Sequence, residues 1–120
     1  MDIVETKRME ESMSRFGERF LGRIFSEGER AYAMGMKFPH LHLAARFAAK
    51  EAVSKAFGTG IGREMGWREV EIVREASGAP RVVLHGKAEA LARARGVVEV
   101  HVSLSHTAEY GAASVVMVGG

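Results

Sequence analysis

A chain of 120 residues, 47% hydrophobic and 27% charged, has the size and balance of one folded domain. It holds no cysteine, which excludes a disulfide scaffold, thiolate zinc sites and cysteine nucleophiles and fits a reducing cytoplasm. A net charge of +2, from 17 basic and 15 acidic interspersed residues, gives no footprint for nucleic acid, and no apolar run is long enough for a membrane span.

From Glu5 to Leu21 the apolar residues Met9, Met13, Phe16 and Phe20 follow helical steps, which predicts an amphipathic helix. Arg8, Arg15 and Arg19 fall on a neighbouring face. Ser26 with Glu29 three residues on predicts a capping box and a short helix to Met34, ended by Gly35 to Pro39. Leu43 to Phe57, rich in alanine and closed by Gly58, is the strongest predicted helix. Thr59 to Gly66 is a glycine-rich loop. Trp67 to Arg74 and Arg81 to His85 read as strands around a turn, and Lys87 to Arg95 as a helix. Val98, Val100, Val102 and Leu104 alternate with polar residues in a half-buried strand, and Tyr110 to Val118 forms the last one. Helices first and then mostly neighbouring strands predict an α+β fold, with helices packed on a small antiparallel sheet.

Three places carry chemistry. On the long helix, Phe47, Glu51 and Lys55 share one face, and Arg46, Lys50 and Ser54 share the adjacent one. Spacing alone makes Glu51 and Lys55 an exposed ion pair. The loop Gly58-Thr59-Gly60-Ile61-Gly62 adds backbone N–H groups with little steric hindrance, which suits a phosphate but equally serves a helix end and a turn. Ser103-Leu104-Ser105-His106-Thr107 clusters hydroxyls and a histidine at a strand end, either as a site or as a turn bonding its own backbone. Asp2 gains meaning only beside Glu51, since two carboxylates with phosphate oxygens and water are a usual way to hold Mg²⁺. The same features would serve a non-catalytic module that holds a nucleotide or an acidic protein.

The run Arg46 to Ile61, RFAAKEAVSKAFGTGI, resembles the signature of the holo-acyl-carrier-protein synthases. Val102 to Thr107 is similar to a second motif of that family, Asp2-Ile3-Val4-Glu5 to another, and Phe25 to Glu29 to a weaker fourth. The resemblance implies a 4′-phosphopantetheinyl transferase-like fold in residues 1–120, trimeric, with sites at subunit interfaces. It implies transfer of the 4′-phosphopantetheine arm of coenzyme A to a serine of apo acyl carrier protein, with release of adenosine 3′,5′-bisphosphate, in cytoplasmic fatty acid biosynthesis or for a secondary-metabolite carrier. Asp2 and Glu51 match Mg²⁺ ligands, and Lys55 matches a lysine at the pyrophosphate. Arg46 and His106 match residues near the 3′-phosphate, with Ser54, Gly58, Gly60, Gly62 and Thr107 along the cofactor. Arg8, Arg15 and Arg19 match basic positions that dock the acidic carrier. Glu51, directly or through water, is the expected base for the carrier serine. The family's short apolar strand before the motif aspartate has no counterpart here, so Asp2 is expected at a poorly ordered end beside a positive amino group.

Overall fold

A computed structural model describes residues 1–120. The chain begins with a strand, β1 (Asp2–Glu5), and the helix expected from Glu5 starts at Thr6. Asp-Ile-Val-Glu alternates, and the pleat turns Asp2 and Val4 inward and Ile3 and Glu5 outward. Asp2, expected at a frayed end, is thereby held in register opposite Ala113.

Helix α1 (Thr6–Ile24) is broken at Gly17, whose φ of 59° and ψ of −146° are open to glycine alone. The apolar stripe read as continuous is interrupted there. Met9, Leu21 and Ile24 are buried, whereas Phe16, just before the break, is 58% exposed. Helix α2 (Glu27–Met34) opens with the predicted capping box: Ser26 Oγ accepts from Glu29 N, and Glu29 accepts from Ser26 N. Helix α3 spans Pro39–Ala56 and starts earlier than read, because Pro39, taken as a breaker, sits in its first turn where proline is favoured. Trp67–Glu69 forms a 3₁₀ turn, so the expected strand from Trp67 begins only at β2 (Val70–Arg74).

The rest comprises β3 (Pro80–Leu84), α4 (Gly86–Ala94), β4 (Val97–His106) and β5 (Tyr110–Gly119). A single sheet was expected, but the strands divide. One antiparallel sheet has the order β1-β5-β4, and β2 and β3 form a separate antiparallel hairpin. Helix α3 is the centre of the molecule. Ala44, Ala45, Ala48, Ala49 and Ala52 are all buried, and their small side chains let the sheet approach the helix backbone. The approach is closest at Gly111 of β5, where an added Cβ would lie 2.5 Å from the Ala45 backbone nitrogen. No helix is long and apolar enough to cross a membrane.

Candidate active site

Strand β1 and the second half of α3 bring together residues 53 positions apart. Lys55 Nζ lies 2.5 Å from Asp2 Oδ1. The Asp2 side chain is 10% exposed and the Lys55 side chain 62%, so the aspartate is fixed and the ammonium reaches solvent. Asp2 Oδ2 is buried and has no hydrogen-bond partner. Glu51 binds its proton more tightly than a free glutamate, first because it is partly buried, then because of the Asp2 charge, with Lys55 opposing. Lys55 is held protonated above the usual lysine range, chiefly by its hydrogen bond to Asp2. The ordinary Glu51–Lys55 pair expected from spacing is therefore a triad in which Asp2 takes the lysine.

Two clefts meet at Glu51 and Phe47. One, of about 260 Å³, is lined by Ser54, Lys55, Gly60, Ile61 and Trp67 as well. The other, of about 500 Å³, runs between β1 and α1 past Arg8, Met9 and Tyr110. Trp67 stacks on Phe47 with ring centroids 4.7 Å apart. Trp67 is thus a wall of the site as well as an anchor, which its isolation in the sequence concealed.

The glycine loop does not present the free amides expected of it. Gly58 N donates to Lys55 O, Thr59 N and Gly60 N to Ser54 O, and Gly62 N to Met65 O. The loop closes the end of α3 on itself. Ser54 is buried, and its hydroxyl donates to Glu51 O at 2.8 Å. Thr107 Oγ accepts from the N–H groups of Glu109 and Tyr110, so it builds the β4–β5 turn. Ser105, His106 and Thr107 still line a smaller cleft with Ile3 and Tyr110.

Arg46 lies away from this triad. Five residues before Glu51, it is turned by roughly 140° around the helix, and it is 1% exposed. His106 reaches its neighbourhood from the end of β4, 4.8 Å from the ring of His42. Arg8, Arg15 and Arg19 are exposed, and none takes part in an ion pair; Glu18 pairs instead with Arg30.

Residues 1–112 match the model of the 4′-phosphopantetheinyl transferase superfamily. The chain is 51% identical over 113 residues to the holo-acyl-carrier-protein synthase of Moorella thermoacetica, covering 94% of this chain and 87% of that one. The chain belongs to the holo-acyl-carrier-protein synthase family. It is an enzyme of the phosphopantetheinyl transferase class. The family's synthase from Koribacter versatilis is 45% identical over 117 residues, 98% of this chain and 94% of that one. The crystal structure of the Neisseria meningitidis synthase superposes with a TM-score of 0.88 at 34% identity, covering 97% of this chain and 93% of the other. The Helicobacter pylori synthase, solved in complex with coenzyme A, gives 0.86 at 31% identity, covering 98% and 96%.

Within that family frame, the sequence motifs stop short of several residues at the clefts. Tyr110 borders two of them, and the Tyr32 ring carries the guanidinium groups of both Arg46 and Arg74.

Proposed function

We propose that this chain transfers the 4′-phosphopantetheine arm of coenzyme A to a serine hydroxyl of an apo acyl carrier protein and releases adenosine 3′,5′-bisphosphate. The observation that carries this reading is the Asp2–Glu51–Lys55 triad, with its unpartnered carboxylate oxygen, on a chain of this family.

The triad also fits Mg²⁺. Asp2 Oδ2 is a buried acceptor with no donor, and the charge of Asp2 raises the proton affinity of Glu51, a repulsion that a divalent cation relieves. The chain has no group of three or more His, Asp or Glu side chains able to hold a metal by themselves, so Asp2 and Glu51 would share the ion with substrate oxygens and water. When bound there, Mg²⁺ supplies charge neutralisation at the pyrophosphate.

The chain's own residues account for the rest. Lys55, kept cationic by Asp2, faces the leaving bisphosphate with a positive charge. The carrier serine oxygen attacks the phosphorus on the pantetheine side, and the bond from that phosphorus to the bridging oxygen breaks. A Glu51 carboxylate oxygen, directly or through a water, takes the serine proton. Arg46 and His106 take the 3′-phosphate, with Thr107 at the same strand end. Ser54 and Gly60 line the cleft beside Lys55, where the arm would lie, with Gly58 and Gly62 flanking Gly60 in the loop.

Arg8, Arg15 and Arg19 have no acid of their own and form the docking face for an acidic carrier. Arg8 lines the cleft that contains Glu51, which ties that face to the chemistry. The outer sheet face shows Ile3 at 62% and Val116 at 60% exposure, an apolar surface suited to packing in a homotrimer. In this reading the enzyme acts in the cytoplasm and serves fatty acid biosynthesis.

The test is intact-mass measurement of an apo fatty-acid carrier protein incubated with the enzyme, coenzyme A and Mg²⁺. A mass increase of one phosphopantetheine is expected. An unmodified carrier, with coenzyme A left intact, would overturn the reading.

A further inference from the structure

Trp67, the only tryptophan of the chain, walls the cleft that holds Glu51 and Lys55, and it sits on a short 3₁₀ turn. Three ties fix that turn. Lys50 Nζ donates to Trp67 O at 2.9 Å and to Val70 O at 2.5 Å. The Glu69 carboxylate accepts from Gly66 N at 2.7 Å and from Lys87 N at 2.6 Å, which clamps the turn to the start of α4. His85, between β3 and α4, makes the third tie. Its N–H donates to Glu69 O at 2.8 Å, and its ring Nε2 lies 2.9 Å from Glu71 Oε1.

Glu71 carries the third tie on to α2. Its other oxygen accepts from Ser26 Oγ at 2.7 Å, and Ser26 caps the helix that holds Glu29. Glu29 Oε1 lies 2.8 Å from Lys50 Nζ, so the bonds run in a closed circuit from His85 through Glu71, Ser26, Glu29 and Lys50 to the turn. Within it, Lys50 and Glu29 are sealed from solvent as an ion pair. Glu71 is held below the ordinary carboxylate range, first by the Ser26 bond and then by the His85 bond. The other charges around Glu71 are Lys50 from α3 and, beyond it, Glu29 from α2 and Arg68 on the turn; Lys87 of α4 bonds Arg63 O instead. His85 is the exception in this circuit. Its side chain is 50% exposed, and an imidazole is the group that gains or loses its proton near neutral pH. A protonated imidazole holds a carboxylate by a charge-assisted bond, about twice as strong as a neutral one.

We infer that His85 is a positioning residue: protonated, it latches the Trp67 wall of the cleft, and it releases that wall as pH rises through the neutral range, which weakens coenzyme A binding. The loss of coenzyme A binding rests on the transferase reading above; the movement of Trp67 does not. When the His85 proton leaves, Glu71 is held less firmly between α2 and the β3–α4 junction. The start of β2 loosens with it, and Trp67 shifts against Phe47, its stacking partner in the cleft.

The single tryptophan makes the test direct. Intrinsic fluorescence of the full-length wild type, without substrate, should show an emission transition between about pH 5.5 and 8.5. His85→Gln should abolish the transition and stay at the high-pH emission. His85→Lys, which keeps a cation throughout, should stay at the low-pH emission. Glu51 shares the cleft with Trp67, and the transition should survive Glu51→Gln. In turnover assays KM for coenzyme A should be about three- to fivefold higher in His85→Gln than in the wild type at the acid end, the size of one partly exposed ion pair. That ratio should fall to one at the alkaline end, with the kcat ratio constant. A flat wild-type emission, a transition that survives His85→Gln, or a KM ratio that does not change with pH would each overturn the inference. Failure of the transferase reading would appear separately, as an unmodified carrier with the emission transition intact.

Discussion

Lys50 and Arg46 are both cations on α3, one turn apart and facing inward, and both are almost fully buried. Their surroundings are opposite. Lys50 Nζ pairs with Glu29 Oε1 at 2.8 Å and donates to Trp67 O at 2.9 Å and Val70 O at 2.5 Å, so all three of its protons have acceptors. Glu29 in turn bonds two backbone N–H groups. Arg46 has two nitrogens with nothing to bond. The closed cation ties α2, α3 and the start of the β2–β3 hairpin together. The open cation leaves the fold with an unmet electrostatic demand, and an unmet demand is where a ligand gains affinity. Asp2 and Glu51 repeat the open case with the opposite sign.

The comparison fails most visibly if closing and opening do not differ in stability. Lys50→Ala would leave Glu29 charged and unpaired in the interior, a loss of about 3–5 kcal/mol. Arg46→Met removes two nitrogens that have no acceptors and one long bond to His42 O, and should cost no more than about 1 kcal/mol. Urea unfolding of both variants decides it, and equal losses would erase the distinction. Catalysis should show the reverse ordering within α3. Glu51→Gln keeps the shape of the site but removes its proton acceptor, so kcat should fall by about 10²- to 10⁴-fold while the circular dichroism spectrum is unchanged. Near-normal turnover would remove Glu51 from the chemistry.

How far the sequence foretold this difference depends on the distance between partners. The Ser26–Glu29 capping box is a contact over three residues and was legible. The second role of Glu29, as partner to Lys50 across 21 positions, was not, because no local pattern marks it. The helical steps of α3 correctly joined Arg46, Lys50 and Ser54 on one face, but could not say that this face is the buried one. Alanine makes α3 nearly apolar all round, which hides the direction of its core. Asp2 was placed as a site residue by resemblance, while its strand, four residues long and paired with the far end of the chain, left too short a pattern to read. Gly17 read as an ordinary helical position because a break of this kind depends on packing that lies elsewhere.

Smaller effects are expected at the exposed cations, which are open to solvent rather than to a buried pocket. Reversing Arg15 and Arg19 together to Glu should raise KM for the carrier by about tenfold and leave KM for coenzyme A unchanged, with the difference shrinking as salt rises. A shift confined to coenzyme A would place carrier docking elsewhere.

The smallest effect tests the idea that an open site lowers the stability of the fold that holds it. Burial and the neighbouring Asp2 raise the pKa of Glu51 in the folded state above its unfolded value. Its contribution to stability is therefore fully present below the ordinary carboxylate pKa and is lost as pH rises through the raised folded value. At neutral pH the wild type carries this strain and Glu51→Gln, which cannot ionise, does not. The variant that loses activity should thus have the higher melting temperature at pH 7. The gain should stay under about 1 kcal/mol, because Glu51 is only partly buried and solvent screens the repulsion. It should vanish at acidic pH, where the wild-type carboxyl is protonated too, and it should shrink when Mg²⁺ is added to the wild type. A glutamine variant less stable than the wild type at neutral pH would mean that Asp2 and Glu51 are not in conflict, and the open carboxylate pair would lose its claim to be waiting for a cation.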